Sequence, residues 1–132
     1  MITIGMTGTY KVLVSDNNTA KTMKSGSLDV FATPSLVAIM EAAAVDAIKD
    51  EIGENETSVG CAISTSHRAP SLIGDEIISY AEVIDVDGRQ IKFKVSAFDK
   101  DTLVGEGKHI RVIVDKEKFI NKAMKRRMGD VK

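Results

Sequence analysis

Three side chains in this chain have the types needed to work together on a carbonyl: Thr33, Glu41 and His67. A hydroxyl, a carboxylate and an imidazole suit nucleophilic attack on an acyl group, with proton transfer in both directions. Inside the largely apolar stretch Val30 to Val45, Thr33 and Pro34 mark a point where a helix should begin. The threonine offers an oxygen to free N–H groups, and a proline needs no N–H in the first turn. Such a helix start also favours negative charge, so it doubles as an oxyanion site. From Thr33 to Glu41 is about 12 Å along a helix axis at 1.5 Å per residue. The two cannot meet on one helix, so a second subunit would have to bring its copy of the carboxylate to the hydroxyl.

Each group also has a plainer reading. Capping alone accounts for Thr33 followed by Pro34. Glu41 can be paired with a basic side chain on a neighbouring strand. His67 can be a core histidine bonded to backbone. His109 and Arg111 share parity on the last strand and either line a site or face solvent. Lys122, Lys125, Arg126 and Arg127 either complement a helix C-terminus or hold a phosphate or acidic surface. The methionines, Met6, Met23, Met40 and Met124, are packing residues on this reading.

The elements that must hold these groups follow from periodicity. Thr7 to Val14 reads as a first strand, and the polar Ser15 to Gly26 as a loop, either a surface connection or a lid. The helix runs from about Pro34 to Glu51 and stops before Gly53. At 100° per residue, Val37, Glu41, Val45, Ile48 and Ile52 share one side, which places Glu41 inside an apolar stripe. Thr57 to Arg68 is extended, with Val59, Cys61, Ile63, Thr65 and His67 on one core-facing parity. Asp75 to Val86 and Arg89 to Phe98 form a hairpin about Asp87-Gly88. Ile91, Phe93, Val95 and Ala97 alternate with polar residues, as in an antiparallel strand with one wet face. Leu103 to Val114 is the last strand, where Gly105 and Gly107 suggest a bulge or a close backbone approach. Asp115 caps a final helix, Lys116 to about Met128, with Phe119, Ala123 and Met124 inward. One long apolar helix against one antiparallel sheet is an α+β arrangement, and pairing of edge strands between two copies would cover its open flank.

Composition narrows the classes. The 132 residues, 43% of them apolar, suit one domain, residues 1–132, with a real core. A net charge of −1 argues against nucleic acid as a partner. The single cysteine, Cys61, allows no internal disulfide. Met1 to Gly5 lacks the layout of a signal peptide, and no apolar run reaches the ~20 residues of a membrane span. A soluble, cytoplasmic protein is expected. There is no G-x-S-x-G elbow and no Walker or Rossmann glycine loop. With two histidines and one cysteine, a metal cluster is not expected.

Several segments, in order, resemble the hotdog-fold thioesterases, and among them the fluoroacetyl-CoA thioesterase group. They are Val30-Phe31-Ala32-Thr33, Val37 to Ala42, Val59 to Ile63 and Thr65 to Pro70, then Asp87-Gly88-Arg89, Val95-Ser96-Ala97 with Asp99, Gly105 to His109 with Arg111, and Glu117-Lys118-Phe119. The resemblance implies a sheet wrapped around a central helix, a homodimer with a tetramer as the alternative, and hydrolysis of an acyl-CoA thioester at the dimer interface. It places the catalytic threonine, glutamate and histidine on Thr33, Glu41 and His67. It places substrate-binding residues on Gly60 and Arg111, with Phe31 and Met23 beside the acyl group. No cofactor is implied, since coenzyme A is part of the substrate. The chain departs from the group's best-known member, which closes its acyl pocket with phenylalanines. Here no aromatic residue lies between Tyr10 and Phe31, and only Met23 and Leu28 are large and apolar in that segment. The expectation is therefore another short acyl-CoA rather than fluoroacetyl-CoA. The rival readings are a non-catalytic acyl-thioester binding protein and an enoyl-CoA hydratase, for which no Asp/His signature is present.

Overall fold

The computed structural model describes residues 1–129. Five strands, β1 (Thr7–Leu13), β2 (Glu56–His67), β3 (Glu76–Asp87), β4 (Gln90–Asp99) and β5 (Thr102–Asp115), form one antiparallel sheet in the order β1-β3-β4-β5-β2. Helix α2 (Thr33–Ile48), extended by a 3-10 turn at Lys49–Glu51, lies across its inner face. A one-turn helix α1 (Ala20–Met23) precedes it and α3 (Lys116–Arg127) follows β5. This is the hotdog arrangement that the resemblance implied. Among these residues no helix is long and apolar enough to cross a membrane.

Alternation builds the inner face. Ile77, Ala81 and Val83 of β3 are buried, as are Ile91, Phe93, Val95 and Ala97 of β4. Leu36, Ile39, Met40, Ala43, Ala44 and Ile48 of α2 pack on them. Burying each large member contributes about 1.5–3 kcal/mol. Two details seat the helix. A Cβ on Gly8 of β1 would run into the backbone of Ala43 and Ala47, so only glycine lets α2 approach that strand. On β3, the buried Ser79 hydroxyl donates to the Ile39 carbonyl at 2.6 Å.

Four expectations need correction. The buried stripe of α2 is the one through Leu36, Met40 and Ala43, whereas Val45 is 43% exposed and Val37 and Glu41 are half-buried on the flank. A helix apolar around most of its circumference does not declare its inward side by periodicity alone. The parity of β2 changes midway. Gly60 pairs with Arg111 but Ala62 with Ile110, so Cys61 is a bulge residue and is exposed. One extra residue flips every later side chain. Ser58 and Gly60 therefore share the inner face with Ile63 and His67, and Val59 and Cys61 do not. Ser15 to Gly26 is not all loop, because Thr19 caps α1 by accepting from the Thr22 N–H. Finally, Asp115 caps α3 as expected, but α3 has no buried residue, and Phe119 and Met124 are 44% and 45% exposed. It follows the end of β5 and packs little on the other described residues.

Candidate active site

The start of α2 and the end of β2 meet. The N-cap of α2 is Ala32, not Thr33, and no side chain caps it. With Ala32 N–H on the Asn18 carbonyl, Leu36 N–H on the Ala32 carbonyl and no N–H on Pro34, the first turn leaves the N–H groups of Thr33 and Ser35 without an acceptor among the described residues. Thr33 is spared for a different bond: its Oγ1 lies 2.7 Å from His67 Nδ1. The bulge at Cys61 is what turns His67 to this side of the sheet. Burial pushes the His67 imidazole below its ordinary value of 6.5, favouring the neutral ring. Its Nε2 is buried and has no partner among the described residues.

A cleft of about 270 Å³ opens beside this pair. Phe31 and Val30 line it from the strand-like approach to α2, Ala20 from α1 and Pro70 from the segment after β2. The segment carrying α1 is tied down by backbone bonds, Ala20 N–H to the Val30 carbonyl at 2.8 Å and Ala32 N–H to the Asn18 carbonyl at 2.9 Å. Phe31, 1% exposed, is held by its N–H on the Ser71 carbonyl at 2.9 Å. Met23 is 44% exposed and is not among the cleft's lining residues. Another hollow, about 450 Å³ along Ser64, Lys94 and Lys108, contains none of Thr33, Glu41 or His67.

Glu41 belongs to a second group of side chains. Its Oε2 accepts from Arg111 Nη1 at 2.9 Å and lies 3.7 Å from His109 Nε2. A Cβ on Gly60 would collide with that same oxygen. Arg111 is 7% exposed, with Nε donating to Ser58 Oγ at 2.8 Å and Nη2 to the Ser58 carbonyl at 3.1 Å. A contact of this kind, between a half-buried carboxylate and a buried guanidinium, is charge-assisted and directional. Within the single chain the structure thus brings Thr33 to His67, and Glu41 to Arg111 and Gly60. No hydrogen bond or ion pair joins the two groups among the described residues. The sequence leaves His109 open between lining a site and facing solvent, and it does not single out Ser58. The shared parity of His109 and Arg111 was the available signal for the histidine. Ser58 lay on the other side of an unforeseen bulge. No three His, Cys, Asp or Glu side chains among the described residues come together as metal ligands.

Comparison with known proteins agrees with this architecture. Residues 14–117 match the family model described as fluoroacetyl-CoA-specific thioesterase. The fluoroacetyl-CoA thioesterase of Streptantibioticus cattleyicolor is 37% identical over 91 residues, covering 69% of this chain and 66% of that relative's length. The crystal structure of a phenylalanine-to-alanine mutant of the fluoroacetyl-CoA-specific thioesterase FlK, in complex with fluoroacetate and CoA, has a TM-score of 0.84 at 31% identity, covering 89% of this chain and 99% of that one. A hypothetical protein of Thermus thermophilus, described as a thioesterase superfamily member, has a TM-score of 0.86 at 26% identity, covering 98% of this chain and 95% of that one. The chain belongs to the fluoroacetyl-CoA-specific thioesterase family.

Proposed function

We propose that this protein hydrolyses the thioester of a short acyl-CoA, with Thr33, His67 and Glu41 as its catalytic groups. The observation that carries the reading is the 2.7 Å contact between Thr33 Oγ1 and His67 Nδ1 at an uncapped helix start beside an apolar cleft. In the base-competent tautomer Nε2 holds the ring proton and Nδ1 accepts from the hydroxyl. His67 then takes the proton of Thr33, or of a water positioned by it, as the oxygen attacks the carbonyl carbon. The open N–H groups of α2 receive the charge that builds on the carbonyl oxygen. The same proton passes to the departing CoA sulfur. If Thr33 attacks, water repeats the cycle to release the acid.

Glu41 acts on this reading at an interface between two copies. Among the described residues edge strand β2 has its outer side unpaired, and Val45 on α2 is 43% exposed beside half-buried Val37 and Glu41. A second copy paired along β2 covers this flank and brings its own carboxylate toward the dyad. Gly60 and Arg111 shape the setting of Glu41, and Phe31 walls the acyl side of the cleft. Met23, at the exposed end of α1, reaches the substrate only if α1 closes over it. Coenzyme A enters as part of the substrate and no further cofactor takes part.

The test is release of free thiol from a panel of short acyl-CoAs, fluoroacetyl-CoA included. Turnover of at least one, with acetyl-, propionyl- or butyryl-CoA preferred over fluoroacetyl-CoA, is expected. No release above background from a folded sample would overturn the reading.

A further inference from the structure

His109 is buried at 1% exposure, and the mechanism above gives it no task. Its surroundings fix its protonation state. Nδ1 lies 2.8 Å from the Ala62 carbonyl, which can only accept, so Nδ1 carries the proton. Nε2 lies 3.1 Å from Arg111 Nη1, which can only donate, so Nε2 presents its lone pair. The ring stacks against Phe93 with centroids 6.1 Å apart. The two charged groups that face it are Arg111 and Glu41. Burial and the Arg111 cation both press the ring toward the neutral form, against the Ala62 carbonyl and the Glu41 carboxylate.

The consequence lies at Arg111. Nη1 divides between two acceptors, Glu41 Oε2 at 2.9 Å and His109 Nε2 at 3.1 Å. Ser58 takes Nε and Nη2 from the other side. A guanidinium is planar, so bonds on both flanks set its rotation as well as its position. We infer that His109 is a positioning residue: it anchors the Arg111 fork to the β2 bulge through the Ala62 carbonyl, so that Arg111 holds one oxygen of Glu41 in a fixed place for the reaction. An apolar side chain of similar size would fill the same space, stack on Phe93 and leave the second hydrogen of Nη1 with no acceptor. The inference rests on the proposed role of Glu41.

A double-mutant cycle tests it, using the full chain and whichever of acetyl-, propionyl- and butyryl-CoA it hydrolyses fastest. His109→Phe is expected to lower kcat by ~10–30-fold with KM within about threefold, the pattern of a contact that matters in the transition state. His109→Gln, whose carbonyl oxygen can replace the Nε2 acceptor, is expected to stay within about fivefold of the unaltered chain. In a Glu41→Gln background, His109→Phe is expected to cost less than about threefold, because coupled residues are not additive. If His109→Phe does not fold, His109→Leu takes its place in the cycle. An equal loss in both backgrounds, or no rescue by glutamine, would overturn the positioning role while leaving the site reading intact. Unchanged turnover in Glu41→Gln alone would overturn both.

Discussion

Oε2 of Glu41 occupies the space that a Cβ on Gly60 would fill. The glycine is thus required by the carboxylate rather than by the backbone, since Gly60, beside the bulge and opposite Arg111, does not have a positive φ. Adding one methyl group must push Glu41 off Arg111 Nη1 or bend the edge strand. Gly60→Ala is therefore expected to lower kcat by at least ~10-fold, in keeping with the large losses caused by small misplacements of reacting groups. Thermal unfolding should change by only a few degrees, because Glu41 lies on the flank of the core and can swing outward. Steady-state kinetics and a melting curve on the same preparation check both halves. A variant of full activity would show that the Glu41 position is not critical.

The three proposed catalytic groups should fail differently. Thr33→Ala and His67→Ala each remove one end of the 2.7 Å contact and are expected to lower kcat by ~10²-fold or more. The double variant should be little worse than either single one, since the pair acts as a unit. Glu41→Gln keeps the shape and removes the charge, and a similar loss is expected. Thr33→Ser keeps the hydroxyl and should retain most of the activity. Free-thiol release over several substrate concentrations separates kcat from KM for the set.

Much of this was legible in the residues, and where it was not the cause is physical. Alternation in Ile91 to Ala97 gave the inner face of β4 directly, and Asp115 gave the cap of α3, because both depend on neighbours in sequence. Thr33, Glu41 and His67 could be nominated from type and order, but the partner of each could not. The pairing of His67 with Thr33 depends on the bulge at Cys61, and nothing in Gly60-Cys61-Ala62 announces where a strand gains a residue. Read without it, the parity puts Val59 and Cys61 inward and hides Ser58 as a partner of Arg111, although a basic partner for Glu41 on a neighbouring strand is an expected pairing. The face of α2 was misjudged for a related reason. Three successive alanines and apolar residues around the helix leave the choice of side to Gly8, Ser79 and the sheet, all distant in sequence.

The Gly8 contact offers a test of the fold apart from the site. Any Cβ there meets the backbone of Ala43 and Ala47, which cannot swing aside as a side chain can. Gly8→Ala is expected to cost about 1–3 kcal/mol by overpacking, a Tm drop on the order of 5–10 °C. kcat per folded molecule should stay within about threefold, since the contact is on β1, at the far edge of the sheet from β2. Calorimetry and activity at a temperature well below the transition measure the two separately. An unchanged Tm would mean that α2 can lift from β1 without loss.

The pH dependence follows from His67. A general base must be neutral, and burial pushes this ring below its ordinary value of 6.5. Activity should therefore hold as pH falls through 6.5 and decline only below it, as the folded protein takes up the proton. An acid limb of kcat/KM with its midpoint below 6.5 is expected, and a midpoint at or above 6.5 would show that the lowered imidazole is not the base. His109 is also lowered, by burial first, so its protonation falls on the same side. The His109→Gln variant assigns the limb: if His67 is the base, the limb persists there. Stability runs in the same direction for both rings. Each folded pKa is below its unfolded counterpart, so the unfolded chain binds more protons in the interval between them. The contribution to stability is full above about 6.5, drops as pH falls toward the folded values and is level below them. Urea midpoints at pH 7.5 and pH 5 should fall in that order, and the difference should shrink in His109→Gln, which removes one of the two rings.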